Sequence, residues 1–221
     1  MKKVIQWIVA LIAAAALAAA AILLAWYKGM FLPDWIIWNE KTQICEVYET
    51  SSGQFELSLK NKRFKISQNE NQNQSNEDCD DVNNVNDKNN KKNNQKDREK
   101  NNKKTIWTSP KNILVQDFLW CDINHDEKDE LLLLCWRIGR YGNAKPYWVE
   151  KDEHSWSQHI YIYELRDNEE IHPLWMASDI GMDVESWSFD EKERLVINET
   201  SGRKTAWDWV SWGLSLWKTY D

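Results

Sequence analysis

The chain has 221 residues, a net charge of −7 and an isoelectric point near 5.2. That length allows one membrane anchor and one domain of ordinary size. The acidic balance argues against nucleic acid as a partner.

The charge is uneven. Residues 105–221 carry 12 basic and 22 acidic side chains, so the C-terminal half favours cations and disfavours phosphates. Fifteen tryptophans are a heavy load, and they point to a β-rich core that buries large aromatic area. The four cysteines, Cys45, Cys79, Cys121 and Cys135, form no CxxC pair, which leaves zinc and thioredoxin-like chemistry without a motif. Free buried thiols are the expected state.

Met1-Lys2-Lys3 opens the chain with positive charge, and residues 4–27 contain no charged side chain. A helix of that length reaches about 36 Å, enough for a hydrocarbon core of about 30 Å. Trp7 at one end and Trp26 with Tyr27 at the other suit interfacial belts. A cleaved signal peptide is the rival, but the apolar run continues past Ala18–Ala21 and exceeds a usual h-region. Residues 1–28 are therefore read as an anchor, with the N-terminus inside and the rest of the chain outside the cytoplasm. Residues 29–41 form a juxtamembrane segment. Its Phe31, Trp35, Ile36, Ile37 and Trp38 suit either the lipid surface or the domain.

From about residue 42 the pattern changes to short strands. Gln54–Leu59 and Arg63–Ser67 alternate in hydrophobicity around Asn61-Lys62, which predicts a hairpin. Residues 67–104 hold 13 Asn with 8 basic and 8 acidic side chains, and cannot build a core. They are read as a disordered insertion within a β domain spanning 42–221.

Three phrases recur, centred on Trp107, Trp175 and Trp217. Trp120 and Trp187 follow the first two at similar spacing. Glu130–Leu133 matches Arg194–Ile197, and Ile160–Tyr163 matches Ala206–Trp209. Trp107 to Trp175 is 68 residues and Trp120 to Trp187 is 67. Repetition of this kind, with four short strands per unit, predicts an all-β, propeller-like array of about three antiparallel blades after the N-terminal transmembrane helix. One β-sandwich is the alternative. The run Leu131–Trp136 is apolar on both faces, as suits a strand in the middle of stacked sheets.

Between two strands of the second unit lies Asp122-Ile-Asn-His-Asp126-Glu-Lys-Asp-Glu130. Oxygen-bearing side chains at alternate positions with a closing acid suit a hard cation such as Ca²⁺. The candidate ligands are Asp122, Asn124, Asp126, the carbonyl of Lys128, and Glu130; a solvated turn capped by Asp122 and Asn124 is the alternative. The turn resembles the Asp-x-Asp-x-Asp-Gly-x-x-Asp/Glu-Leu turn of FG-GAP/VCBS-type β-propeller repeats. The resemblance spans about residues 105–200 and implies a blade hairpin that often holds Ca²⁺. The family's glycine is Glu127 here, at a position where a left-handed backbone costs a non-glycine residue roughly 1 kcal/mol. The third unit's equivalent, Asp190–Arg194, lacks the alternation.

The loop Gly139–Trp148 carries Arg140, Tyr141, Tyr147 and Trp148. With Arg137 and Trp156 nearby it is the candidate ligand surface, suited to a glycan or a peptide. Folding of Tyr147 and Trp148 back into the core is the alternative. His154 and His159 are an odd number apart, which does not suit a metal pair on one strand. Asp152, Glu153, Asp183 and Glu185 have no fixed geometry for glycosidase work. The sequence holds no nucleophile elbow and no phosphate loop. The expected function is a membrane-anchored binding or assembly module of the cell envelope, not an enzyme. An enzyme or accessory domain acting on cell-wall or secreted polymer is the alternative, as is a structural module completed by partner chains.

Overall fold

A computed structural model describes residues 2–46, 54–69, 103–142, 145–166, 170–177 and 180–220. Cys79, most of the Asn-rich segment, and Asn143 with Ala144 lie outside the described residues.

Helix α1 (Lys2–Tyr27) has no buried residue and is long and apolar enough to cross a membrane. It ends at Gly29, whose φ of 70° needs no Cβ. The Met30 amide donates to the Ala25 carbonyl and the Gly29 amide to that of Trp26, a Schellman cap. A Cβ on Gly29 would also lie 2.5 Å from a Leu114 methyl, so the helix exit is pressed against the β domain.

Twelve strands follow: β1 (Lys41–Glu46), β2 (Gln54–Lys60), β3 (Arg63–Asn69), β4 (Lys103–Thr108), β5 (Ile113–Cys121), β6 (Glu130–Ile138), β7 (Trp156–Leu165), β8 (Ile171–Met176), β9 (Val184–Phe189), β10 (Leu195–Glu199), β11 (Lys204–Val210) and β12 (Gly213–Tyr220). They form three four-stranded antiparallel sheets, each a meander of four consecutive strands. The sheets do not close into a ring. The repeated phrases fall on equivalent strands. Trp107, Trp175 and Trp217 sit on the fourth strand of each sheet, and Trp120 and Trp187 on the first strands of the second and third.

The second sheet is covered on both faces. Leu131, Leu133 and Cys135 of β6 pack with Phe55, Leu57, Leu59, Phe64 and Ile66 of the first sheet. Leu132 and Leu134, pointing the other way, pack with Val184, Trp187, Leu195 and Ile197 of the third. The two-residue period of a strand and an unbroken apolar run together require this arrangement. Asn61 and Lys62, both at positive φ, form the tight turn of the β2–β3 hairpin.

Two boundaries differ from the sequence reading. β3 runs to Asn69 and β4 begins at Lys103, so the ends of the 67–104 segment are strand. Backbone pairing of Gln68 with Lys104, and of Asn69 with Lys103, needs no apolar side chain. Cys121 pairs with Glu130, and Trp120 with Leu131. Cys45, Cys121 and Cys135 are free thiols.

Polar side chains tie the sheets together. A bulge between Val115 and Asp117 re-aims β5. The buried Asp117 carboxylate pairs with Lys41 Nζ at 2.7 Å and accepts from the Trp187 indole at 2.9 Å. It thereby links β1, β5 and β9, the first strands of all three sheets. Gln116, from the same bulge, accepts from the indole of Trp136 and the amide of Gln158, each at 2.8 Å. Gln158 in turn exchanges two hydrogen bonds with the Val184 backbone.

Candidate functional site

The acidic turn stands at the far end of the sheets from α1. Asp122 begins it, where β5 ends, and its two carboxylate oxygens accept from the amides of Asp126 (3.1 Å) and Glu127 (2.8 Å). The Asn124 carbonyl oxygen accepts from the Asp126 amide, and Asp126 from the amide of Lys128. Glu130, the first residue of β6, is buried. It accepts from the Ile123 amide at 3.1 Å and the Asn124 side-chain amide at 3.0 Å. Glu127 adopts φ 69° and His125 φ 63°, so two non-glycine residues take the left-handed conformation that this turn needs.

The five predicted ligand residues are thus neighbours in one turn. The side-chain oxygens of Asp122, Asn124, Asp126 and Glu130 accept from backbone amides of the turn, and the Asn124 side-chain amide donates to Asp126 and Glu130. Among the described residues no group of three or more His, Cys, Asp or Glu side chains is gathered as metal ligands are. The donor type suits a hard cation, while the arrangement is that of a hydrogen-bonded turn.

The electrostatics mark this turn as unusual. Burial pushes the Glu130 carboxyl up to about 8, helped by the charges of Asp126 and Asp122 and opposed by the amide of Ile123. Burial raises Asp129 as well. The Cys121 thiol is raised too, first by burial and then by Glu130, Asp129 and Asp122. The His125 ring lies 3.5 Å from Glu193 and 3.6 Å from Asp208, joining the turn to the third sheet.

The equivalent turn of the third sheet has solved the same problem internally. Asp190 accepts from the amides of Lys192 and Arg194 and pairs with the Arg194 guanidinium at 2.6 Å. Arg194 holds the Asp190 carboxyl below its usual range.

The long loop between β6 and β7 occupies the opposite end, beside α1. Asp152 organises it. Its carboxylate accepts from the amides of Arg140, Tyr141, Gly142 and Glu153 at 2.7–3.0 Å. Desolvation opposes ionisation there, but the four donors outweigh it and hold the carboxyl down at about 2. A carboxyl so held is a poor general acid at neutral pH. Gly139 (φ 88°) and Gly142 (φ 58°) are required, because a Cβ at either would strike Asp152 or Arg137.

The predicted ligand residues of this loop divide. Tyr147 is 95% exposed and Trp148 69%, their rings edge to face at 4.9 Å, so they do not fold into the core. Arg140 is partly exposed beside Glu153. Tyr141 gives its backbone amide to Asp152. Arg137 lies beneath Gly142 and donates to the Tyr161 hydroxyl at 3.0 Å. Trp156 donates to the Trp26 carbonyl at 3.0 Å and packs with Trp136, Leu114 and the juxtamembrane segment. Arg137 and Trp156 therefore serve the scaffold, while Tyr147 and Trp148 are presented to the outside.

The sequence reading missed the pairing of Ser157 with His159. Two apart on β7, they share a face, and Ser157 Oγ meets His159 Nε2 at 2.9 Å. Ser157 also bonds the Gly139 carbonyl, and His159 Nδ1 the Ala177 carbonyl. His159 is fully buried, which fits a pin under the loop. A His two residues from a Ser within an apolar strand was the available signal. His154, by contrast, is exposed.

A third feature is the outermost strand of the third sheet. On β12, Leu216 is 48% and Trp217 51% exposed; Val210 precedes the β11–β12 turn, and Trp212 in that turn is 81% exposed. Arg194 covers one face of the Trp217 ring at 3.7 Å. No protein-family model matches the chain, and neither a curated protein nor a solved structure matches it.

Proposed function

We propose that this chain is a single-pass, membrane-anchored module of the cell envelope that assembles with a protein partner through the free edge of its third sheet. The observation that carries this reading is the pair of half-exposed Leu216 and Trp217 on β12, a strand that has a neighbour on one side only, with exposed Val210 and Trp212 at the turn that leads into it. Apolar side chains beside unpaired backbone groups are what strand addition uses. Lys2 and Lys3 favour the N-terminus inside, which puts the β domain outside the cytoplasm.

The propeller-like reading rests on Asp117. A side chain that bridges the first strands of three successive meanders suits blades that converge on one axis. The likeness to FG-GAP/VCBS repeats rests on the acidic turn and on the left-handed backbone at Glu127, the family's glycine position. Calcium at this turn is part of the same proposal. Calorimetry on the purified chain tests it: millimolar calcium without heat of binding removes the ion from the account.

The assembly reading is tested by a photo-crosslinking side chain at Leu216 in the full chain, in its own membrane. One discrete adduct is expected, lost when Trp212 and Trp217 are both changed to Ser. A crosslinker at Lys65, on the polar outer face of the first sheet, is expected to give none. Equal, diffuse labelling from both positions overturns the reading.

A further inference from the structure

We infer that the membrane end of the β domain lies in the lipid interface, with the Tyr147–Trp148 loop tip as a second lipid contact beside α1. This rests on the reading of α1 as a membrane span.

The placement follows from the strands. β6 runs from the acidic turn toward α1, and β7 runs back, so the loop between them belongs to the α1 end. The α1 exit is fastened to that end by the Trp156–Trp26 hydrogen bond and by the contact of Gly29 with Leu114. The domain is therefore held at the helix exit and cannot drift far from the bilayer.

The juxtamembrane segment divides into two sides. Leu32 and Ile36 are buried with Trp136, and Trp35 and Trp38 pack beside them. Met30, Phe31 and Ile37 are left exposed. The cap thus has a sealed inner side on the second sheet and an apolar outer side. Tyr147 and Trp148 add a second exposed aromatic patch at the same end, from a separate loop. Large aromatics with polar edges are the side chains that prefer the headgroup region. The loop is rigid at its base, because Asp152 gathers four backbone amides there, so exposure of the tip is built in.

Charge agrees with this surface. The opposite end carries the acidic turn, with five carboxyl groups between Asp122 and Glu130. An anionic bilayer repels that acidic end and so favours the opposite one at the membrane.

The test uses the full chain in vesicles of phosphatidylglycerol and phosphatidylethanolamine, with Cys79→Ser to remove a native thiol. An environment-sensitive fluorophore is placed in turn at Trp148→Cys, Trp212→Cys and Ile12→Cys. Quenching by a headgroup-depth nitroxide lipid is expected at 148 and absent at 212, while aqueous iodide quenches 212 far more than 148. A label at 148 that iodide reaches as freely as at 212 overturns the inference, with α1 still inserted if 12 is lipid-quenched. Shielding of 148 from both quenchers overturns it in favour of a protein occupant. A water-exposed label at 12 removes the membrane span and this contact together.

Discussion

The second and third sheets have the same four-stranded plan but different surroundings. The second is buried on both faces, and its β6 alternates Leu131, Leu133 and Cys135 toward one neighbour with Leu132 and Leu134 toward the other. The third has one covered face and ends in a strand whose aromatics meet solvent. Their turns differ in the same sense. The turn of the second sheet concentrates acids and buries Glu130, and the turn of the third carries Arg194 on Asp190. One sheet is built to hold the fold, and the other leaves apolar side chains in solvent.

Breaking the second sheet is expected to have the largest effect. Leu133→Ala deletes a fully buried side chain between two sheets and should cost about 2–5 kcal/mol in urea unfolding. Trp187→Ala belongs near the upper part of that range, because it also strips a buried hydrogen bond from Asp117. Trp120 is only partly buried and should cost less.

The acidic turn should make stability depend on pH. The Glu130 carboxyl stands at about 8 in the fold against an ordinary 4.5, so the folded chain keeps a proton that the unfolded chain has released. The stability from this group is complete below pH 4.5 and is lost as pH rises through about 8. At about 1.4 kcal/mol per pKa unit, the loss is a few kcal/mol. Denaturant midpoints across this window should fall for the wild type and stay flatter for Glu130→Gln. A wild type with no slope would show that Glu130 is not desolvated. The turn of the third sheet should give no slope in this window, since Arg194 lowers the Asp190 carboxyl and its contribution is lost only in acid.

Glu127→Gly sharpens the contrast from the other side. Relief of a left-handed backbone at φ 69° should stabilise the chain by roughly 1 kcal/mol. The smallest effect is expected at the free edge. Leu216→Ala should change the stability of the isolated chain by less than about 0.5 kcal/mol, while weakening assembly. A large destabilisation would make Leu216 a core residue.

Much of the fold was legible in the sequence, because strand period and repetition are local signals. The apolar run at Leu131–Trp136 announced a strand covered on both faces, and the Trp spacing announced equivalent strands. The site was less legible. Asp117 looked like one more acid in an acidic half, because the bulge at Gln116 that aims it at Lys41 and Trp187 has no simple sequence mark. Arg137 and Trp156 looked like ligand residues because their loop is rich in aromatics. Their use as struts depends on where the helix exit lands, which is a tertiary fact. The acidic turn was recognisable by composition, but only the structure placed its oxygens on backbone amides.

The central claim is that β12 is an edge awaiting a partner. Hydrogen exchange, followed strand by strand in the native membrane and again after purification, addresses it directly. The account predicts that β12 amides are protected in the membrane and exchange quickly once the chain is purified, while β6 stays protected in both. Equal exchange of β12 in the two states would contradict it.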